Sequence, residues 1–354
     1  MARPPSPSES SPARSARDRV AVVANGNAKR VTEDLVEVLD QILLSGDLFV
    51  SRSLEEGKEI AETIVERGYP TVLTAGGDGT FVQMVTWVTK AAEKKGCPRP
   101  RFGLLRLGTG NALAWVLGAE SPRGRGVVAD LARLRTTAGT GKLRLLDVEG
   151  ILTPFAGLGV DAVTLALYDD TKEKLRRIPV LGRFAAGGLS YFVAIVGRAM
   201  PEYLVRGHPQ VRIVNEGGPA VRLGVDGQPV GREVKAGDVL YEGPSRMVAM
   251  STIPYWGFGA RIFPFARERE DRFSLRVVDL TSFDVAFYIR SIWNGTFRSD
   301  KVHDFLVEEV SIHFDEPQDL QIGGDPAGKR EVVRARLAPE PIDVVDYYAP
   351  PGGP

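Results

Sequence analysis

The stretch Thr71-Val72-Leu73-Thr74-Ala75-Gly76-Gly77-Asp78-Gly79-Thr80 is a β-prone run that ends in a glycine-rich turn. A second turn of the same kind, Leu107-Gly108-Thr109-Gly110-Asn111, follows later in the chain. Each turn follows a short apolar run and precedes a segment that is compatible with a helix. Parallel strands deliver their turns to a common sheet edge, so both turns should lie at one carboxyl edge of a parallel sheet.

These two turns have the composition of phosphate-binding loops. Glycine lets backbone N–H groups approach an anion closely, and the N-terminus of the following helix favours negative charge. Thr80 and Thr109 can donate hydroxyl hydrogen bonds to phosphate oxygens, or cap the helices that follow. Asp78 would repel phosphate directly, so it is useful there only if it binds Mg²⁺, accepts a substrate proton or orients the loop. Its plainer interpretation is a local cap for the following helix.

The overall composition limits the class of protein. The chain has 354 residues with 45 basic and 45 acidic side chains, so nothing indicates a general nucleic-acid binder. One cysteine, Cys97, excludes an intramolecular disulfide framework. No apolar run reaches the ~18 residues needed to span a bilayer. We expect a disordered leader over residues 1–18 and a cytoplasmic protein.

The order of predicted elements indicates two domains. Strands and helices alternate from Val20 to about residue 135, which predicts a doubly wound parallel sheet in a nucleotide-binding α/β domain over residues 19–140. Ser53 followed by Glu56 is a capping-box signature for one of its helices. Short β-like runs then dominate residues 141–330, apart from a helical insertion over 160–200. They predict an antiparallel β-sandwich. Residues 331–354 form a carboxy-terminal segment that we expect to pack back on the first domain.

Several motifs together resemble the diacylglycerol kinase catalytic family, which includes bacterial lipid kinases and sphingosine kinases. They are Gly76-Gly77-Asp78-Gly79-Thr80, Leu107-Gly108-Thr109-Gly110-Asn111-Ala112-Leu113-Ala114, Gly157-Leu158-Gly159-Val160-Asp161-Ala162, Pro254-Tyr255-Trp256-Gly257-Phe258-Gly259 and Gln321-Ile322-Gly323-Gly324-Asp325-Pro326. Order and spacing match from about residue 20 to 328. The resemblance implies a fold like that of NAD kinase and diacylglycerol kinase, with the active site in the cleft between an α/β domain and a β-sandwich.

The resemblance also implies roles for individual residues. The nucleotide is expected to be ATP, with Mg²⁺ as the metal and Asp78 as its ligand. Asp161 matches the residue that touches the polar head of the lipid in sphingosine kinases. The residues implied in nucleotide binding are Asn25, Asn27, Gly76, Gly77, Asp78, Gly79, Thr80, Gly108, Thr109, Gly110, Asn111, Arg176 and Arg183.

Two positions depart from the family pattern. Ala112 stands where the second loop usually has an aspartate. Gly323-Gly324-Asp325 stands where the family usually has Asp-Gly-Glu, so the first carboxylate is missing and the identity of the general base stays open. Asp325 is the remaining carboxylate of this motif, and Asp78 is the second candidate catalytic acid. A plain glycine-rich turn is the alternative interpretation of the segment around Asp325.

The leading functional hypothesis is a lipid kinase that phosphorylates diacylglycerol at a membrane surface. A sphingoid base, ceramide or monoacylglycerol is the alternative lipid. NAD kinase and a non-catalytic nucleotide- or lipid-binding regulator are the alternative functions. Long cationic side chains beside apolar ones in Lys172 to Phe184 indicate a lid that touches an anionic membrane, with ordinary helix packing as the alternative. A homodimer through the β domain is expected by family analogy only.

Overall fold

The first sheet carries both glycine-rich turns. The computed structural model describes residues 19–27, 31, 39, 47–108, 110–120, 126–160, 162 and 209–348. The strands of the first sheet are β1 (Val20–Asn25), β2 (Leu48–Ser51), β3 (Thr71–Gly76), β4 (Arg101–Arg106), β5 (Gly139–Leu143) and β17 (Ile342–Asp346). Within the described residues their order is β2-β1-β3-β4-β17-β5, and β1 to β4 run parallel. β17 pairs parallel with β4 and antiparallel with β5, so the end of the chain returns to the first sheet.

Within the ranges that the structure describes, four helices accompany this sheet: α1 (Leu54–Glu66), α2 (Asp78–Lys95), α3 (Ala112–Leu117) and α4 (Gly126–Thr136). The predicted cap of α1 is present, because the Glu56 N–H donates to the Ser53 hydroxyl at 3.1 Å. The Glu56 carboxylate reaches back to the N–H of Arg52 at 2.6 Å, one residue earlier than in a standard capping box. Gly96, with φ of 62°, ends α2 in the left-handed conformation that glycine tolerates.

The second sheet contains eleven antiparallel strands within the described residues. They are β6 (Leu146–Val148), β7 (Ile151–Thr153), β8 (Phe155–Gly159), β9 (Gln210–Asn215), β10 (Val221–Leu223), β11 (Val239–Pro244), β12 (Met247–Ser251), β13 (Phe273–Val278), β14 (Val302–Val307), β15 (Glu309–Ile322) and β16 (Asp325–Leu337). Its core contains fully buried Phe273, Leu275 and Ile312. The predicted fold class, a parallel α/β domain followed by an antiparallel sheet domain, is confirmed.

Local details of the second domain differ from the sequence-based expectation. The β-prone run from Val307 to Phe314 is divided between two strands, because β14 ends at Val307 and the much longer β15 begins at Glu309. A further helix, α5 (Ser282–Trp293), was not predicted, because its aromatic and β-branched residues have the composition of a strand. Most of the expected helical insertion over 160–200 lies outside the described residues. The domain boundaries stay predictions; β5 extends to Leu143 and β16 to Leu337.

Helix α2 joins the two sheets. On one side it follows β3 of the first sheet; on the other, the Thr86 hydroxyl accepts a hydrogen bond from the Leu152 N–H of β7 at 3.0 Å. The β15–β16 hairpin ends beside the same helix, because Gly323 of its turn lies against Val82. The first turn of α2 is therefore where residues from both sheets meet.

Candidate active site

The two glycine-rich turns are in direct contact. β3 and β4 are parallel neighbours, with Gly76 in register with Arg106. The Gly108 N–H donates to the Gly76 carbonyl at 2.7 Å. A Cβ atom at Gly108 would overlap the Cα of Gly77, so the two backbones pack with no space for a side chain. The turns therefore form one continuous surface at the carboxyl edge of the sheet.

The Asp78 carboxylate holds the second turn. One of its oxygens accepts the Ala112 N–H at 2.7 Å, and the other accepts the Leu113 N–H at 3.0 Å. Burial raises the pKa of Asp78 to about 6; the two backbone N–H groups oppose this shift, and the charge of Asp325 adds to it. Asp78 thus caps α3, which is not the helix that it begins. Of its predicted roles, the geometry favours loop orientation.

Asparagines from β1 support the first turn. The Asn25 side-chain amide donates to the Thr80 hydroxyl at 3.1 Å, and the Asn25 side-chain oxygen Oδ1 accepts the Asn27 N–H at 3.0 Å. The Asn27 amide donates to the Arg52 carbonyl at 2.8 Å, which connects this turn to the loop after β2. A Cβ atom at Gly76 would lie 2.5 Å from the Thr80 hydroxyl oxygen, so glycine is required there as well. Four predicted residues, Asn25, Asn27, Gly76 and Thr80, are thereby brought together.

The second turn also contacts the second domain. The Gly110 carbonyl accepts a hydrogen bond from the Phe258 N–H at 3.0 Å. Asn111 takes a left-handed φ of 44°, and its amide donates to the Gly108 carbonyl at 2.6 Å. The Asn111 side-chain oxygen is buried without a hydrogen-bond partner in the described part of the chain. Four predicted site residues lie outside the described residues: Thr109, Asp161, Arg176 and Arg183.

Asp325 reaches the first turn from the second sheet. It is the first residue of β16, and a Cβ atom at Gly79 would lie 2.6 Å from its carboxylate carbon. The Gln83 amide donates to the Asp325 carboxylate at 3.3 Å. Burial of the carboxylate in this cleft raises its pKa, although the residue keeps exposed surface. No lysine or arginine pairs with it among the described residues, so it keeps the basicity that an ion pair would remove.

The Gly323-Gly324 turn explains the missing family acid. With φ values of 61° and 90°, the two glycines form the tip of a two-residue hairpin in which Ile322 pairs with Asp325. A Cβ atom at Gly323 would lie 2.5 Å from a methyl carbon of Val82. Aspartate tolerates this backbone conformation in two-residue hairpins, so the obstacle to an aspartate at Gly323 is the clash of its Cβ with Val82 of α2. Asp325 is the carboxylate that this hairpin delivers to the cleft.

A cavity of about 270 Å³ adjoins the first turn. It lies beside Asn25, Asn27 and Thr80, and its volume is near the lower end of ligand pockets, about 300–1,000 Å³. Residues that the sequence analysis had not singled out also line it: Ser51, Arg52, Gln83 and Trp87. Gln83 could have been found from the sequence, because it lies one helical turn after Gly79 and so shares its face of α2.

The potential metal ligands among the described side chains give little support to a Mg²⁺ site formed by the protein alone. No group of three or more His, Cys, Asp or Glu side chains is arranged around a potential metal site in the described ranges. Both Asp78 oxygens already accept backbone N–H groups and face α3. The role of Asp78 as a metal ligand stays a prediction, and no step below depends on it.

The two-domain fold matches solved structures along nearly the whole chain. A candidate diacylglycerol kinase from Bacillus anthracis str. Sterne aligns with a TM-score of 0.63 at 15% identity, covering 94% of this chain and 99% of that one. A diacylglycerol kinase from the same organism aligns with a TM-score of 0.58 at 13% identity, covering 93% and 96%. At these identities the similarity establishes the fold. An NAD kinase from Archaeoglobus fulgidus in complex with ATP reaches a TM-score of only 0.41 at 9% identity over 92% of each chain, which is too low to bear on function.

The amino-terminal domain also matches a family model. Residues 19–141 match the family model of the diacylglycerol kinase catalytic domain, so the resemblance found in the sequence is confirmed over this part of the chain. No curated protein matches the chain significantly. The family match supports a kinase-like function and implies ATP as the phosphate donor. None of the helices described is both long and apolar enough to cross a membrane.

Proposed function

We propose that the protein is an ATP-dependent lipid kinase that transfers the γ-phosphate of ATP to a lipid hydroxyl, with diacylglycerol as the substrate and phosphatidic acid as the product. One observation carries the proposal: the Asp325 carboxylate of the second sheet lies against Gly79, in the first turn of α2. Phosphoryl transfer requires positioned phosphates and a carboxylate near the attacking hydroxyl. In support, the N-terminus of α2, which we propose binds the phosphates, and the Asp325 carboxylate lie within a few ångströms of each other.

The phosphates of ATP bind at the N-terminus of α2. The first N–H groups of a helix have no intrahelical partners and favour an anion. The Thr80 hydroxyl accepts its hydrogen bond from Asn25, so its own hydrogen is left to donate to a phosphate oxygen. The N–H groups of Ala112 and Leu113, in contrast, are used by Asp78. Arg176 and Arg183, carried over from the family resemblance, would add positive charge.

The second domain supplies the base. Asp325 accepts the proton of the lipid hydroxyl as that oxygen attacks the γ-phosphorus. The bond from the γ-phosphorus to the bridging oxygen breaks, and ADP leaves with that oxygen. A raised pKa brings a carboxylate closer to the pH at which a general base works best. Gln83 orients Asp325 by its hydrogen bond. Mg²⁺ would neutralise charge on the transferred phosphoryl group, held chiefly by the ATP phosphates.

An apolar cavity in the second domain supports a lipid substrate. Its volume is about 100 Å³, and the residues around it include Val160, Met247, Val285, Ile292 and Phe297. Val160 directly precedes Asp161, which the family resemblance assigns to the polar head of the lipid. The cavity would hold a short part of an acyl chain beside Val160. Sphingoid bases and ceramide share this combination of a hydroxyl and an apolar chain and remain alternative substrates.

A labelling experiment tests the proposal. The purified chain is incubated with γ-labelled ATP and Mg²⁺ and offered diacylglycerol, monoacylglycerol, sphingosine and ceramide in mixed micelles, with NAD in parallel. We expect label in phosphatidic acid. Label in another lipid would change the assigned substrate and would still support a lipid kinase. Label in NADP, or ATP binding without transfer to any acceptor, would contradict the proposal and support NAD kinase or a regulator.

A further inference from the structure

Helix α5 exposes two aromatic side chains on one face. Phe283 is 82% exposed and Phe287 is 81% exposed. Residues four apart share one face of a helix, so the two rings form a single patch. Ala286 and Arg290 are exposed on the same helix. Large apolar side chains grouped in this way mark an interaction surface more often than scattered ones do.

The opposite face of α5 lines the apolar cavity described above. Val285 and Ile292 line this cavity, together with Val160, which follows β8. The helix therefore separates this small apolar cavity, which has room for only a short part of an acyl chain, from the exposed aromatic patch. A ligand that enters from a bilayer would meet both faces of this one element.

Helix α5 is held firmly at both ends. Its N-terminus has a full capping box: the Asp284 N–H donates to the Thr281 hydroxyl at 3.2 Å, and the Thr281 N–H donates to the Asp284 carboxylate at 2.9 Å. These hydrogen bonds, with Lys301 at 2.9 Å, lower the pKa of Asp284 to about 2. At the other end the Arg261 N–H donates to the Trp293 carbonyl at 2.8 Å. The phenylalanines are thus displayed by a fixed helix.

The charges around the patch favour an anionic surface. Arg290 and Arg261 are exposed, and neither makes a side-chain ion pair with a described residue. The acids on either side of the helix start are already engaged, Asp279 with Arg246 at 3.7 Å and Asp284 with Lys301 at 2.9 Å. A second copy of the chain would bring the same arginines together across a two-fold axis, which is unfavourable. Anionic lipid head groups would instead neutralise them.

We propose that α5 is a membrane-docking helix. Phe283 and Phe287 insert at the boundary between head groups and acyl chains, as the apolar face of an interfacial helix does, while Arg290 and Arg261 contact anionic head groups. Docking in this way puts the apolar cavity next to the bilayer. The inference rests on the proposed lipid kinase function, because that function requires access to a lipid. The expected membrane segment Lys172 to Phe184 lies outside the described residues.

Vesicle co-sedimentation of the full chain without ATP tests the proposal. Vesicles of phosphatidylcholine with phosphatidylglycerol are compared with vesicles of phosphatidylcholine alone. The double variant Phe283→Ser/Phe287→Ser should bind the mixed vesicles at least about tenfold more weakly, because two large apolar side chains are lost. Phe283→Trp/Phe287→Trp should bind at least as tightly as the parent. Arg290→Gln should weaken binding to the mixed vesicles and reduce its dependence on salt.

A matched control removes apolar surface elsewhere. Val225 and Val332 are 63% and 47% exposed and lie on other elements, so Val225→Ser/Val332→Ser should bind vesicles like the parent. Circular dichroism and thermal unfolding check that all variants keep the fold. Unchanged vesicle binding by the double serine variant would overturn the proposal. So would a parent dimer that this variant splits into monomers without vesicles, since α5 would then be a contact between copies.

A soluble substrate distinguishes a failure of the docking proposal from a failure of the kinase proposal. A short-chain diacylglycerol that is monomeric in solution needs no membrane docking. If the double serine variant phosphorylates this substrate normally but fails on vesicles, both proposals are supported. If the parent binds vesicles through α5 but labels no lipid, the kinase proposal fails. If the variant is as active on vesicles as the parent, the docking proposal fails.

Discussion

Replacing Asp78 by alanine tests whether one buried carboxylate holds the two phosphate loops together. The change leaves the N–H groups of Ala112 and Leu113 without their partner. The N-terminus of α3 and the turn before it should then lose their fixed position against the first turn. We expect ATP binding and turnover both to be lost, since the two glycine-rich turns, which we propose bind the phosphates, no longer form one surface.

The stability cost has two opposing parts. Each buried N–H left unpaired costs about 1–3 kcal/mol, so the pair costs about 2–6 kcal/mol. Against this, the pKa of Asp78 is about 6 in place of 3.8, which means that the folded state disfavours this charge by about 3 kcal/mol. The alanine variant has no carboxylate at this position and therefore does not carry this energetic cost. The net change in the free energy of unfolding at pH 8 should therefore lie between a gain of about 1 kcal/mol and a loss of about 3 kcal/mol.

The loss should grow as the pH falls. Because the folded pKa lies above the unfolded one, the folded state binds more protons between about pH 4 and pH 6. Stability from this group is therefore fully present below pH 4 and is lost as the pH rises through 6. Between pH 8 and pH 5 the protonation of Asp78 raises the free energy of unfolding of the parent by about 1.4 kcal/mol. The alanine variant lacks this group and shows no such rise.

Urea unfolding at pH 8 and pH 5, with ATP binding measured by calorimetry, checks this account. Asp78→Asn is the matched control: its amide keeps one acceptor, so it should retain part of the nucleotide affinity. An alanine variant that binds ATP as tightly as the parent would refute the loop-orienting role. A cost equal at both pH values would refute the pKa argument.

The remaining predictions concern the hairpin and the base. Gly79→Ala pushes a methyl group into the Asp325 carboxylate and should lower kcat by at least about 10²-fold, whereas Gly141→Ala, with 3.6 Å to its nearest neighbour, should be neutral in the same assay. Gly323→Ala combines a φ of 61° with a contact of 2.5 Å to Val82 and should cost about 2–5 kcal/mol in urea unfolding; a cost below 1 kcal/mol would contradict the packing described. In a pH profile, kcat/KM should fall at acid pH as Asp325 becomes protonated. The midpoint of this fall should lie above pH 3.8, because the folded pKa of Asp325 is raised. A midpoint at or below pH 3.8 would contradict the role of Asp325 as the base.

The elements of the first domain were predictable because their signals are local. The turn after Ala75, the cap at Ser53 and the stop at Gly96 each depend on a few neighbouring residues. Parallel pairing of β3 and β4 then follows from the alternation of strands and helices, and it brings the two turns to one edge. The contact between the two glycine-rich turns was for this reason predictable from the sequence.

The missed features depend on distant contacts or on exposure. The sequence alone cannot show that Asp78 reaches α3 and leaves its own helix uncapped, because that contact depends on how two loops pack. The same holds for Gly323, whose lack of a side chain makes sense only once Val82 is seen beside it. Helix α5 was missed because Phe283 and Phe287 face outward, against the usual amphipathic pattern.

The most direct test of the central claim is the Asp325→Ala variant in a combined assay of ATP binding and phosphate transfer to diacylglycerol. The account predicts nearly parental ATP affinity, because the phosphate loops and the cavity beside Thr80 are intact, and a transfer rate lower by about 10²- to 10⁴-fold or undetectable. Full activity in the purified variant would contradict the assignment of Asp325 as the base.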